Sequence, residues 1–235
     1  AIQIATFIEN NLISDSGELK RSFKNEKSTI SAFSEDYGLL IQSFINLYVV
    51  SLDKYWLDRS KQLMNYTIEH FQNKENEMFF YTSKSNSDLI MRKSVVFDKV
   101  IPSSNSVLAK NLFILGHYYY DQNFLRMSSQ MLSNLIEDID LAPLNYTNWL
   151  DVYLDHSSPF YEIAVSGSNA LEKVKILNSN YLPNTAIAGA LSEDNLPIMA
   201  NKYDEKETYI YVCIDGTCKL PVTEINEAMN QIKKR

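Results

Sequence analysis

Pro102-Ser103-Ser104-Asn105-Ser106, followed by Val107, Leu108, Leu112 and Leu115, is the feature that most constrains what this chain can fold into. Proline fixes the backbone where a helix begins, a hydroxyl at Ser103 or Ser104 can accept a bond from an unpaired amide, and the apolar residues recur at helical spacing. That is a capped helix start, predicted over 104–119. An earlier stretch repeats it: Ser34 precedes Glu35 and Asp36, two carboxylates that suit the positive end of a helix, and 39–50 is then apolar on nearly every side. The two starts lie 104 − 34 = 70 positions apart.

Each start is followed by a second, amphipathic helix. Asp53 can cap one over 54–72, with Trp56, Leu63, Met64 and Phe71 on its buried side, and Asp121 can cap another over 121–137, with Phe124, Leu125, Met131 and Leu132. A buried helix paired with an amphipathic one, repeated, predicts helical hairpins set in a ring, the inner helices parallel and opening at one mouth. Residues 1–12 read as a helix end broken at 14–17, 19–23 as a short strand, 77–82 and 89–97 as an inserted β-hairpin, and 143–154 as a shorter helix. Beyond Pro159 the period changes: strands over 161–166, 184–190 and 208–213 alternate with helices over 170–178 and 223–232, the first two strands being parallel. The expected fold is mainly α: a partial α/α toroid with inserted β-hairpins over 1–156, and a small α/β appendage over 157–235.

A net charge of −7, from 22 Lys+Arg against 29 Asp+Glu, argues against nucleic acid as a partner; apart from Lys233, Lys234 and Arg235 the basic residues are scattered. No apolar run reaches the ~18–20 residues that span a bilayer, so no membrane partner is expected and the location reads as cytoplasmic. No metal-ligand spacing is present, and neither a metal nor another cofactor is expected. Ala1 lies in what reads as the inside of a helix, without the basic start of a signal peptide, so the chain is expected to be a piece of a longer protein.

Parallel inner helices would gather Glu35, Asp36, Tyr37, Asp98, Ser104 and Asn105 at one mouth, beside the loops carrying Phe33 and Phe97. Two readings of this set stay open. As helix caps, each carboxylate is worth about 0.3–1 kcal/mol and a capping serine about 0.5–2 kcal/mol. As a sugar-like site, Glu35, Asp36 and Asp98 supply acid/base groups while Tyr37, Ser104 and Asn105 contact the ligand. His117 lies 117 − 104 = 13 residues into its helix, about 20 Å from that mouth, and reads as structural; His70, in the last turn of an antiparallel outer helix, lies at the mouth end, where capping explains it as well. Asp155-His156-Ser157 holds triad residue types, but neighbours in sequence rarely assemble a triad.

Asp215-Gly216 is a strong two-residue turn signal, which makes Ile214 and Thr217 the closing pair and sets Cys213 opposite Cys218 at a non-hydrogen-bonded pair. There the Cα atoms approach to about 4.5 Å, within the ~4.4–6.8 Å that a disulfide needs. A bridge and two small apolar residues in a buried strand pair are both compatible with this; reduced thiols, close enough to oxidise, are expected in the cell, which makes Cys213 and Cys218 a candidate redox pair.

Four sets of residues carry a family resemblance: Glu35-Asp36-Tyr37; Pro102-Ser103-Ser104-Asn105-Ser106-Val107 with Asn111-Leu112; Tyr181-Leu182-Pro183-Asn184 with Leu191-Ser192 and Leu196-Pro197; and Tyr211-Val212-Cys213, Cys218 and Pro221-Val222-Thr223. Together they resemble the thioredoxin-domain family related to spermatogenesis-associated protein, in which a thioredoxin-like domain precedes an α/α toroid similar to six-hairpin glycosidases and sugar epimerases. The resemblance implies a C-terminal piece that lacks the thioredoxin-like domain and the first hairpins. Departures from the family pattern are Lys99 after Asp98, which adds bulk and positive charge at the mouth, and Ile214-Asp215-Gly216-Thr217 between the cysteines. Two functions are compatible with it, since such a fold does not fix a reaction. One binds or acts on a carbohydrate, as an epimerase, isomerase or glycosidase would; the other is a non-catalytic scaffold that presents protein substrates to the N-terminal redox domain. The implied partners are a sugar-like small molecule, the thioredoxin-like domain of the same chain, and a second copy of the chain through apolar surface left by an incomplete ring.

Overall fold

The computed structural model describes residues 1–85 and 91–232. Its centre is two helical hairpins, α2 (Ser34–Ser51) with α3 (Lys54–Phe71) and α4 (Ser104–Tyr119) with α5 (Gln122–Ser133). Both turn by the same device. A left-handed residue, Leu52 at φ 57° or Tyr120 at φ 50°, ends the first helix. An aspartate then caps the second: Asp53 accepts from the Tyr55 amide, and Asp121 from the amides of Asn123 and Phe124.

Helices α2 and α4 lie side by side and parallel. Asn111 Nδ2, midway along α4, donates to the Gly38 carbonyl near the start of α2 at 2.8 Å, and near the ends of both helices the rings of Tyr48 and Tyr118 meet edge-on at 5.5 Å. Gly38 permits this approach, because a Cβ there would lie 3.3 Å from Val107 Cγ1. Helix α3 runs back along α2, with Trp56 against Phe44 at 5.0 Å and the Ser60 hydroxyl donating to the Ile41 carbonyl. Two parallel inner helices backed by antiparallel outer ones make an arc of an α/α toroid, the mainly helical architecture that the repeat predicts.

Around this arc lie α1 (Ile2–Leu12), a short hairpin of β1 (Phe23–Lys24) and β2 (Lys27–Ser28), α6 (Ile136–Leu141) and α7 (Thr147–Ser157), the last packed on α4 and α5. Four elements differ from expectation. The strand read over 19–23 is two isolated bridges, Leu19 with Ile13 and Lys20 with Ser31, and β1 begins only at Phe23. The helix predicted over 121–137 stops at Ser133: Asn134 turns its side chain out to donate to the Asn76 carbonyl at 2.6 Å, and α6 restarts after it. Pro143 opens a 3₁₀ turn, and α7 begins only at Thr147. The β-hairpin expected over 77–82 and 89–97 is reduced to a Phe80–Ser94 bridge and a bond from the Tyr81 amide to the Lys93 carbonyl; positions 89 and 90 lie outside the described residues.

The α/β part holds β3 (Tyr161–Ser166), α8 (Ala170–Asn178), β4 (Thr185–Ala190), β5 (Tyr209–Ile214), β6 (Thr217–Cys218) and α9 (Ile225–Gln231), with strand order β4-β3-β5-β6. β3 and β4 are parallel across α8, and β5 is antiparallel to β3. Strand alternation divides β3 between two cores. Tyr161, Ile163 and Val165 pack with Val174, Leu177 and Ala228 of α8 and α9, whereas Ala164 joins the core of the helices with Ala186, Ala188 and Ile198. Tyr118 OH donates to the Ile187 carbonyl at 2.9 Å, which ties the sheet to the C-terminal end of α4. Among the described residues no helix is long and apolar enough to cross a membrane.

Candidate functional site

At the start of α2 the capping residue is Phe33 rather than Ser34. Asp36 Oδ2 accepts from the Phe33 amide at 2.8 Å, and burial pushes its carboxyl up while that bond and Arg21 hold it down. Glu35 Oε1 accepts from Arg21 Nη1 at 2.8 Å and from Tyr81 OH at 2.7 Å. The Phe33 ring stacks on Tyr81 at 4.7 Å with Arg21 over it, so the face expected to meet a sugar is covered by the chain itself. Tyr37 is buried: its hydroxyl accepts from the Leu19 amide at 2.7 Å, donates to the Gly17 carbonyl, and is pushed up by burial.

The second group sits where α4 and α7 begin. Asp98, 7% exposed, accepts on Oδ1 from the Ser103 amide and the Ser106 hydroxyl, both at 2.7 Å, and on Oδ2 from the Asn148 amide at 2.8 Å. One carboxylate therefore satisfies orphan amides at two helix starts. The cap of α4 is Ser103, whose hydroxyl accepts from the Ser106 amide; Ser104 takes the first helical position, and its buried hydroxyl has no partner among the described residues. Asn105 is fully buried and bonds like a strand: Oδ1 accepts from the Phe79 amide at 2.7 Å, and Nδ2 donates to the carbonyls of Phe79 and Val95, each at 2.9 Å. Arg21 thus joins Glu35 and Asp36, whereas Asp98, Ser104 and Asn105 belong to the junction of α4 with α7 and the 79–96 segment.

β5 and β6 pair Ile214 with Thr217 and Cys213 with Cys218, the register that the Asp215-Gly216 turn sets. Of the two states the sequence leaves open, a bridge or a pair of thiols, the structure shows the bridge, with Cα atoms 3.8 Å apart, closer than the ~4.4–6.8 Å usual for a disulfide because the non-hydrogen-bonded pair brings the strands nearest there. Cys213 is buried and Cys218 exposed.

At the opposite end of α4 lies a polar cluster that sequence reasoning missed. Alternation places Glu162 of β3, 1% exposed, on the helix-facing side of the sheet. Its Oε1 lies 2.9 Å from His117 Nδ1, and its Oε2 accepts from Tyr120 OH at 3.1 Å and from the Gly216 amide at 2.9 Å. Burial and the Glu162 charge push the Tyr120 hydroxyl up. From α7, His156 Nε2 lies 3.0 Å from the Ser128 hydroxyl, and burial and His117 push the imidazole down to about 4. The serine at His156 is thus Ser128 rather than the neighbouring Ser157, whose hydroxyl donates to the Leu154 carbonyl. Phe113 stands 4.6 Å from both imidazoles, and these three rings border a cleft of about 420 Å3 between α4, α5, α7 and the turn at Ile214 and Asp215. The one sequence signal was an acid inside an otherwise apolar strand. No group of three or more metal-ligating side chains occurs among the described residues.

No family model matches the chain. An uncharacterized protein of Caenorhabditis elegans is 25% identical over 244 residues, covering 97% of this chain and 33% of its own length. Spermatogenesis-associated protein 20 of Rattus norvegicus is 22% identical over 241 residues, covering 94% of this chain and 30% of its own length. The chain is similar to spermatogenesis-associated protein 20. The Homo sapiens protein of that name is 22% identical over 204 residues, covering 82% of this chain and 26% of its own. That similarity agrees with the family resemblance that the motifs carry. The chain spans about a third of the length of the curated relatives it matches. Among solved structures, a GH76 α-mannanase of Bacteroides thetaiotaomicron matches 65% of this chain and 43% of its own, with 12% identity and a TM-score of 0.48.

Proposed function

We propose that this chain is a scaffold within a longer protein, a helical arc that holds protein substrates for a thioredoxin-like redox domain elsewhere in that protein. One observation carries the reading: the acids available for catalysis at the helix starts are spent on the fold. Both oxygens of Asp98 accept from groups that begin α4 and α7, Asp36 bonds the first amide of α2, and Glu35 is held by Arg21 and Tyr81. A general acid or base needs reach to a substrate proton, and a carboxylate held in this way offers little. The carbohydrate reading of Glu35, Asp36 and Asp98, with Tyr37, Ser104 and Asn105 as contacts, loses its ligand-facing groups for the same reason.

The test compares the full-length protein with a version that lacks this region. The scaffold role predicts that the deletion abolishes reduction of a disulfide-bonded protein while reduction of a small aromatic disulfide continues. Equal loss with both substrates, or no loss with either, contradicts it. A panel of monosaccharides that stabilised the full-length protein, and lost that effect with Glu35→Gln, would restore the carbohydrate reading.

A further inference from the structure

A single exposed apolar side chain is ordinary, but several on adjoining segments are not. Val100, Leu141 and Leu144 are 101%, 83% and 87% exposed, and Phe97 and Ile101 beside them 49% and 53%. They sit on two segments, 97–101 and 141–145, that touch: the Asp98 amide donates to the Asn145 carbonyl at 2.8 Å, and the Phe97 ring meets that of Tyr146 at 5.3 Å. The first segment is held at its base by the Asp98 carboxylate, which bonds Ser103, Ser106 and Asn148, and closed at its tip by the Lys99 amide, which donates to the Ile101 carbonyl at 3.1 Å. Apolar tips on an anchored backbone lose little conformational freedom when something covers them.

The charges around the patch choose its occupant. Glu137, Asp138 and Asp140 are exposed on α6 just before Leu141, and among the described residues none of them has an ion-pair partner. Asp138 reaches the patch itself, since burial and its charge together push the Tyr146 hydroxyl up. Lys99, exposed on the first segment, offsets one of these three charges and leaves the surface acidic. In a two-fold dimer the patch would meet its own copy and set these acids against one another. An anionic lipid surface is repelled in the same way. A protein segment that carries apolar residues among lysines or arginines satisfies both features at once.

We propose that segments 97–101 and 141–145 form a docking surface for a basic, apolar segment of a partner protein, its apolar side chains on Val100, Ile101, Leu141 and Leu144 and its cations on Glu137, Asp138 and Asp140. The proposal does not rest on the scaffold reading: binding here is measured without a redox assay, so either can fail while the other stands.

Fluorescence titration of the full 235-residue chain with labelled peptides of about 14 residues tests it. A helix-patterned leucine–lysine peptide is expected to bind, and to bind more weakly as salt is added. Leucine–glutamate and serine–lysine peptides of the same spacing are expected to bind about tenfold more weakly or not at all. Val100→Gln combined with Leu144→Gln, both at exposed positions, is expected to weaken leucine–lysine binding about tenfold in a folded protein, with Leu144→Gln alone, losing about threefold, should the pair misfold. Glu137→Gln with Asp140→Asn is expected to flatten the salt dependence. Equal affinity for the three peptides, or unchanged affinity in a folded patch variant, overturns the proposal. So does binding to phosphatidylcholine–phosphatidylserine vesicles but to none of the peptides, or a dimer in sedimentation that the patch variant abolishes.

Discussion

Asn105 and Asp98 show what a sequence can and cannot say about a single residue. Polar residues at a helix start have the same signature whether they cap, bind or react; burial decides, and here burial depends on residues 79–81 and 95–98 lying against the starts of α2 and α4. Ser103 and Asp121 were legible as caps because that role is local. The partners of Asn105, the Phe79 and Val95 backbones, were not, being 26 and 10 positions away in a segment without a regular ladder. The partners of His156 and the role of Glu162 were not legible for the same reason, since each takes its character from an element distant in sequence. His156 carries a pH prediction. Its folded pKa is pushed down to about 4 from an ordinary 6.5, so between those values the unfolded chain binds the proton more readily. The contribution of neutral His156 is then fully present above about pH 6.5 and lost progressively as pH falls toward 4. Urea midpoints across that window are expected to fall further in the wild type than in His156→Gln; parallel curves would mean that the buried imidazole is not responsible.

Among elements, the hairpin helices and the sheet were legible because periodicity, aspartate caps and Asp-Gly turns are local signals that agree with one another. β3 and α8 match their expected bounds, and so do the starts of α2, α3 and α4. The end of α5 was not legible, because Asn134 leaves the helix for a carbonyl contributed by the 73–78 turn. The spacing of α4 and α5 is set by Gly116, where a Cβ would lie 2.6 Å from Leu125 Cδ2 and 2.7 Å from its Cγ. Alanine there gains helix propensity of up to about 1 kcal/mol but must push α5 away. Gly116→Ala is therefore expected to lose about 1–3 kcal/mol net by denaturant titration. A stability equal to or above wild type would mean that the two helices are less closely seated than described.

At the scale of the whole molecule, the sheet contributes Ala164, Ala186 and Ala188 to the same core as the four hairpin helices, so helices and sheet are expected to unfold together. Within that unit the polar ends of α2, α4 and α7 act as joints, and Asp98 is the joint on which two helices depend. Asp98→Asn keeps the shape and removes the charge that three donors share. The measurement is denaturant unfolding of this variant with amide exchange read at α4 and α7. A loss of about 1.5–3 kcal/mol, with protection falling at the starts of both helices together, is the predicted result. Stability within about 0.5 kcal/mol of wild type and unchanged exchange at both helices would contradict the account, and would free Asp98 for a role in chemistry.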